Sequence, residues 1–276
     1  MAVKNILVVY NGTEGSKSAL KMALDLAANQ DAHITGLNAH SIAPYIAKLD
    51  PYVSAEFAEV LTRQEAERQT KVEQDFHEQV AEEGATDRAR FFTAQGQPDR
   101  ICAQFARTYD LVVVGQPKTE AWEAHLAPHP DSVALQSGRP VLVAPKTIAP
   151  LDLSKGAILA WDGKRAASRA LADAMGLLED AASLTVLHVA EDDSAVRQPG
   201  RDVMEHLSRH GVHAELLVMP TAGRPVGEIV LETAKLSGAG LLVMGAYEHS
   251  KFSETILGGV TKDVLSQIEM PVLISH

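Results

Sequence analysis

The sequence predicts an α/β fold made of two doubly wound, parallel, five-stranded sheets with flanking helices. Short runs of Val, Ile and Leu without polar alternation are typical of parallel strands that are buried on both faces. These runs alternate with segments whose apolar residues recur at helical spacing, as they do in βαβ units. The whole pattern occurs twice in 276 residues, which indicates a tandem repeat whose two domains form a pseudo-dimer.

Each half begins with a strand, a tight turn and a helix. In the first half, the run Ile-Leu-Val-Val-Tyr precedes Asn11-Gly12, and in the second half Ala-Ile-Leu-Ala-Trp precedes Asp162-Gly163. Apolar residues at helical spacing follow both turns. The two turns therefore hold equivalent positions in the repeat.

The later elements of the two halves also match. Each half continues with a second strand, a Gly-x-Pro segment before a helix, a fourth strand that ends in glycine and a last Pro-Val-Leu strand. These lie at 33–38, 96–98, 110–115 and 140–143 in the first half and at 184–189, 223–225, 240–245 and 271–274 in the second. We expect domains at 1–147 and 156–276 that meet through their last strands or adjacent helices.

The first half is longer because of the segment 42–83. Its polar composition favours a helix, and its spaced Phe and Val residues need an apolar surface to bury against. We expect it to extend the second crossover and to cover part of a domain face or a homodimer contact.

The composition excludes several classes of partner. The net charge is −11 and the chain has no Lys/Arg-rich run, so neither nucleic acid nor an anionic membrane is an expected partner. The chain starts without an apolar signal region and contains no apolar run long enough to span a membrane, which favours a cytoplasmic protein. Cys102 is the only cysteine, and its helical spacing predicts a buried structural thiol.

The stretch after the fourth strand of the second half predicts an anion site. A buried strand ends at Gly245, a polar loop follows, and Gly258-Gly259 opens a helix. Glycines let backbone N–H groups approach an anion, and a helix start adds further donors. Ligands of open α/β sheets lie beyond the strand ends where the strand order reverses, which would bring Asp162 beside Gly245.

These motifs resemble the universal stress protein family in its tandem two-domain form, over essentially the whole chain. The family hallmark after the fourth strand is Gly, two residues, Gly, nine residues, Gly, then Ser or Thr. Gly245 and Gly258 hold the outer positions at the required separation. Glu248 stands at the middle glycine and Gly259 at the hydroxyl position, although Thr261 can still supply an oxygen.

The resemblance implies an adenine nucleotide, ATP or a relative, in the second half, with Mg²⁺ as an accompanying ion. Adenine and ribose would lie against residues at three strand ends, and phosphates would lie in the loop from Gly245 onward. The implied set is Ala160, Asp162, Val189, Met244, Gly245, Glu248, Gly258, Gly259, Val260 and Thr261.

Simpler interpretations of the same residues stay open. Asp-Gly after a strand is ordinary turn and helix-cap chemistry, so Asp162 can serve the fold alone. Gly258-Gly259 can be a tight strand-to-helix connection without a ligand. Glu248 weakens polyphosphate binding if its carboxylate points inward, and has no such effect if it points to solvent.

The first half departs further from the hallmark. Lys118, Pro128, His129 and Asp131 stand where the second half has Glu248, Gly258, Gly259 and Thr261, and Asn11 replaces the aspartate. Proline lacks an N–H donor and aspartate repels phosphate. We therefore predict no nucleotide in the first half.

The repeat assembles no recognisable catalytic residues and no metal ligands. The leading hypothesis is a cytoplasmic stress-response protein that senses or carries an adenine nucleotide in its second half and is not a dedicated enzyme. We expect it to form a homodimer and to act on a downstream protein that the sequence does not identify. One alternative is a slow nucleotide hydrolase or adenylyl-handling enzyme that uses Asp162, Glu248 and His249. The other is a regulatory scaffold without a ligand.

Overall fold

The computed structural model describes residues 3–41, 55–116, 127–147, 150–190, 197–246 and 259–276. Within these residues the chain forms ten strands: β1 (Asn5–Val9), β2 (His33–His40), β3 (Ala89–Gln95), β4 (Leu111–Gly115), β5 (Val141–Ala144), β6 (Ala157–Ala160), β7 (Leu184–Ala190), β8 (Ala214–Pro220), β9 (Leu241–Gly245) and β10 (Val272–Ser275). The same residues form eight α-helices: α1 (Glu14–Gln30), α2 (Ala55–Glu82), α3 (Pro98–Ala106), α4 (Pro130–Ser137), α5 (Arg165–Leu178), α6 (Arg197–Arg209), α7 (Val226–Ser237) and α8 (Gly259–Gln267).

The strands form a sheet in the order β3-β2-β1-β4-β5-β10-β9-β6-β7-β8. Within each half all neighbouring strands are parallel. In the first half the order reverses between β1 and β4, and in the second half it reverses between β6 and β9. Each half therefore has the topological switch point at which ligands of such sheets bind.

The two halves join through their last strands. β5 and β10 pair in antiparallel fashion, with Val141 opposite Ile274, Leu142 opposite Leu273 and Val143 opposite Val272. The predicted α/β class and tandem arrangement are confirmed, but the expected two sheets are one continuous ten-stranded sheet. The physical reason is that an edge strand exposes unpaired backbone N–H and C=O groups. By pairing with each other, β5 and β10 satisfy these groups in both halves.

Helices cover both faces of the sheet. One face packs against α1, α2, α5 and α6, and the other against α3, α4, α7 and α8. Each apolar layer contains buried residues from both halves, such as Leu20 and Leu171 on the first face and Val133 and Val264 on the second. None of the described helices combines the length and apolar character that a bilayer span requires.

The longer crossover of the first half forms helix α2. Its Val72, Phe76 and Val80 are buried against the face of the sheet that α1 also covers, as the sequence predicts. The Phe76 ring lies 5.6 Å from the Tyr10 ring and 4.9 Å from the Phe91 ring, measured between centroids. A homodimer contact through this helix stays a prediction.

Cys102 is fully buried on α3, as its helical spacing predicts. Burial raises the pKa of the Cys102 thiol far above its usual value, so the thiol stays protonated at neutral pH. Its environment is that of a structural residue and not of a nucleophile.

Candidate functional site

The switch point of the second half brings several of the predicted residues together. Ala160, the last residue of β6, is the direct partner of Met244 on β9 and of Leu187 on β7. Asp162 follows β6 by two residues, and Gly245 is the last residue of β9. Because β6 and β9 are adjacent and parallel, Asp162 and Gly245 lie at the same edge of the sheet.

The apolar members of the predicted site belong to one layer. Met244 is buried, and the half-buried Ala160 and Val189 pack against the same apolar layer, on the face that α7 and α8 cover. Small and aliphatic side chains of this kind form a wall that can accept a flat, apolar ring.

Asp162 organises the turn before α5. Its Oδ1 accepts a hydrogen bond from the backbone N–H of Lys164 at 2.9 Å, and Gly163 has a φ of +76°. The turn function that the sequence left open is therefore present. The carboxylate is also exposed at the sheet edge, so the turn leaves it accessible to a ligand hydroxyl.

Gly245 has a packing role that the sequence did not reveal. A Cβ at Gly245 would lie 2.6 Å from the carbonyl carbon of Ala166 and 2.6 Å from the nitrogen of Ala167. In the first half, a Cβ at Gly115 would likewise overlap the backbone of Gly15. The glycine that ends the fourth strand thus lets the first helix of each half pack on the sheet.

Helix α8 begins beside this edge with Gly259. Gly259 and Val260 are exposed, and Thr261 is buried in the first turn. The first N–H groups of a helix have no acceptors within the helix and favour anions. Glu248 and Gly258, the other two members of the predicted set, lie outside the described residues.

Arg165 is a functional candidate that sequence reasoning missed. The ring Nδ1 of His276 lies 2.8 Å from the carbonyl oxygen of Ala246, and the guanidinium of Arg165 lies 2.8 Å from the His276 Nε2. The two contacts fit a neutral imidazole that donates from Nδ1 and accepts at Nε2. These contacts hold the positively charged guanidinium of Arg165 at this edge of the sheet. The residues are 111 positions apart, so no local motif connects them.

The first half has a cavity at its own switch point. Its volume is about 190 Å³, and it lies between the ends of β1, β4 and β5 and the starts of α1 and α4. The residues that line it are Val9, Asn11, Thr13, Glu14, Gly15, Ser16, Val114, Gly115, Gln116, Ala127, Pro128, His129 and Lys146. Lys118, one of the positions compared in the sequence, lies outside the described residues.

An Asp99–His129 pair stands at this cavity. The backbone N–H of His129 donates to Asp99 Oδ1 at 2.8 Å, and the His129 Nδ1 lies 3.1 Å from Asp99 Oδ2. The hydrogen bond to Asp99 raises the pKa of His129. Burial acts to raise the pKa of Asp99, but the hydrogen bonds from His129 outweigh it and the pKa is lowered.

Asp131 is buried behind His129, and its Oδ1 accepts from the Ser132 N–H at 2.9 Å. Asp131 is the second residue of α4, and its carboxylate therefore accepts from an N–H group in the first turn of that helix. Over the parts of the chain that the structure describes, no three His, Cys, Asp or Glu side chains are grouped so that they could hold a metal ion.

The fold defines a tandem, doubly wound α/β protein. Each half has a switch point at the sheet edge where ligands of such folds bind. The family model of the universal stress protein family matches residues 2–145 and again residues 156–276. The chain therefore belongs to the universal stress protein family, in its tandem form, and this makes it a stress-response protein.

Solved structures support the same architecture. A universal stress protein from Archaeoglobus fulgidus is 17% identical, with a TM-score of 0.74, and the match covers 98% of this chain and 95% of that one. A functionally unknown protein from Pseudomonas aeruginosa PAO1 is 19% identical, with a TM-score of 0.61, over 99% of this chain and 92% of that one. At these identities the likeness concerns the fold alone. No curated protein matches the chain.

Proposed function

We propose that this stress-response protein binds an adenine nucleotide at the switch point of its second half, as a sensor or carrier. The observation that carries the proposal is the register that makes Ala160 and Met244 direct partners at the ends of β6 and β9. Open α/β sheets bind ligands beyond such paired strand ends.

The base and the ribose would use the apolar wall and the exposed carboxylate. Ala160, Val189 and Met244 offer a flat, weakly polar surface on one layer of the sheet. The carboxylate of Asp162 is exposed, and carboxylate oxygens accept hydrogen bonds from sugar hydroxyls. Small-molecule sites are commonly built in this way: apolar walls bury the ligand, and a few polar groups fix its orientation.

The phosphates would lie between the starts of α5 and α8. Arg165 supplies a guanidinium at this edge, and its contact with His276 restricts the positions it can adopt. The exposed first turn of α8, at Gly259 and Val260, adds N–H donors, with the buried Thr261 behind them. Mg²⁺ would then bind mainly through phosphate oxygens and water, as it commonly does with nucleotides.

Binding without turnover fits the geometry better than hydrolysis does. Asp162 has its Oδ1 committed to the Lys164 N–H, so one oxygen of the carboxylate that the hydrolase alternative would use already serves the turn. A general base must instead be free to reach the proton that it removes. We further propose that the protein acts in the cytoplasm as a homodimer, with domains at 1–147 and 156–276.

Native mass spectrometry of the freshly purified full chain tests the proposal. We expect one adenine nucleotide per chain, or uptake of one on addition of ATP, and no Mg²⁺-dependent phosphate release above background. Turnover that is lost in Glu248→Ala would favour the enzyme instead. A chain that takes up no nucleotide at millimolar ATP would point to the ligand-free scaffold.

A further inference from the structure

The cavity of the first half combines an apolar wall with a cationic rim. Val9, Val114 and Pro128 line the apolar side, while His129 and Lys146 contribute the cationic groups. We propose that this cavity binds a short-chain monocarboxylate, a ligand of a different chemical class from the nucleotide proposed for the second half.

The size of the cavity sets the size of its ligand. Its volume is about 190 Å³, whereas pockets for drug-sized ligands span roughly 300–1,000 Å³. A small acid with a short hydrocarbon body fits within this volume. The body would lie against the apolar side, where its burial removes apolar surface from water.

Lys146 is placed at the rim by a chain of hydrogen bonds. Its backbone N–H donates to the Gln116 side-chain oxygen at 3.3 Å, and the Gln116 amide nitrogen donates to the carbonyl oxygens of Leu265 and Ser266 at 3.1 and 2.9 Å. Both ends of the Gln116 amide are therefore used in contacts within the protein, and we do not propose that Gln116 binds the ligand. Lys146 is exposed and lines the cavity, so its ammonium can approach an anion at the rim.

His129 supplies a second polar group. Its Nδ1 is held by Asp99 on α3, and this hydrogen bond favours the protonated ring. Asp99 offsets the positive charge of that ring, so His129 adds a charge-assisted hydrogen-bond donor at the rim while Lys146 carries the net positive charge. Glu14 is the acidic residue among those lining the cavity, and its carboxylate lies 3.4 Å from the Lys17 ammonium, which offsets its charge.

This site would not compete with nucleotide binding in the second half. It lies at the other switch point and uses none of the residues proposed to hold the nucleotide. Failure of one proposal therefore leaves the other standing, and ATP should not displace the acid.

Ligand-observed NMR and calorimetry on the full chain test the inference. The probes are acetate, propionate and butyrate, with butyramide as the neutral analogue of butyrate. We expect saturation transfer to butyrate and a measurable affinity at about 10 mM ligand, with no binding of butyramide. Lys146→Gln and His129→Gln should each weaken butyrate binding by about tenfold, because each removes a charged hydrogen-bond donor.

Matched variants serve as controls. Lys71→Gln removes an exposed lysine on α2, and His77→Gln removes a histidine whose side chain is 52% exposed, compared with 53% for His129. Neither residue lines the cavity, so both variants should bind butyrate as the unaltered chain does.

A pH series adds a second readout. Asp99 and Asp131 both raise the pKa of His129 above 6.5, while Glu14 and Lys146 share its cavity. Butyrate binding should weaken as the pH rises through that pKa, and His129→Gln should remove the dependence. Equal binding of butyramide, no binding of any acid, stronger binding of inorganic phosphate, or displacement of butyrate by ATP would overturn the proposal.

Discussion

Gly245 lies so close to Ala166 that a Cβ on Gly245 would stand 2.6 Å from the Ala166 carbonyl carbon. Contacts this short do not occur between real Cβ atoms and backbone, so any side chain here must push α5 away from β9. The equivalent Gly115 has the same relationship to Gly15 in the half that lacks the nucleotide motif. The glycine is therefore required by the packing of helix on sheet, whether or not a ligand binds.

The first prediction concerns this packing. Gly245→Ala should lower the free energy of unfolding by about 1–3 kcal/mol, because overpacking displaces backbone that cannot yield freely. Gly259→Ala is the control, since among the described residues a Cβ there would approach nothing nearer than Asp263 Oδ2 at 3.9 Å. Urea denaturation of both variants measures the difference. Equal stability of Gly245→Ala and the unaltered chain would mean that α5 is not held as described.

The second prediction separates the two ends of α2. Val72 is buried against the first-half core, whereas Val60 is 48% exposed on the same helix. Val72→Ala should reduce the free energy of unfolding by about 1–3 kcal/mol, and Val60→Ala by less than about 0.5 kcal/mol. Thermal unfolding followed by circular dichroism checks this contrast. Similar losses at both positions would indicate that Val60 is also buried, for example in a homodimer contact.

The third prediction concerns the Asp99–His129 pair. The pKa of His129 is raised above 6.5, so its contribution is fully present below pH 6.5 and is lost as the pH rises through the folded pKa. The pKa of Asp99 is lowered below 3.8, so its contribution is present above pH 3.8 and is lost as the pH falls through the folded pKa. The pair should stabilise the fold most between those limits.

His129→Gln tests this pH window. The variant keeps the backbone N–H that donates to Asp99, so it removes the side-chain contact alone. The loss should be at most about 1 kcal/mol near pH 5.5, because the imidazole is half exposed, and should shrink at pH 8.5. Urea denaturation at the two pH values provides the comparison. A larger loss at the higher pH would have the wrong sign for a pair of this kind.

The sequence predicted those features that depend on chain periodicity. The strand ends at Ala160, Asp162 and Gly245 were placed together correctly, because the carboxyl ends of neighbouring parallel strands meet at one edge. The buried face of α2 followed from helical spacing in the same way.

Features that depend on tertiary packing were not predictable. The apolar residues of β5 and β10 show that each strand needs a neighbour, but not that each strand is the other's neighbour. Asp99 and His129 are 30 positions apart, and they meet only because α3 and α4 pack side by side. The contact between Arg165 and His276 likewise has no local pattern.

The fourth prediction concerns Glu248, which lies outside the described residues. Glu248→Gly should raise ATP affinity by roughly tenfold, because it removes a carboxylate near the phosphates and permits backbone conformations that other residues resist. Glu248→Gln separates the two effects, since it removes the charge and retains the side chain. Calorimetric titration with ATP measures both variants. An unchanged affinity in Glu248→Gly would mean that the side chain faces solvent.

The central claim is that the nucleotide binds in the second half. Gly258 and Pro128 hold equivalent positions in the two halves, so Gly258→Asp and Pro128→Gly form a direct comparison. Calorimetric titration of ATP into the two variants and the unaltered full chain is the most direct measurement. We expect one site per chain, no detectable binding in Gly258→Asp and unchanged affinity in Pro128→Gly. Retained binding in Gly258→Asp together with altered binding in Pro128→Gly would place the nucleotide in the first half and contradict the account.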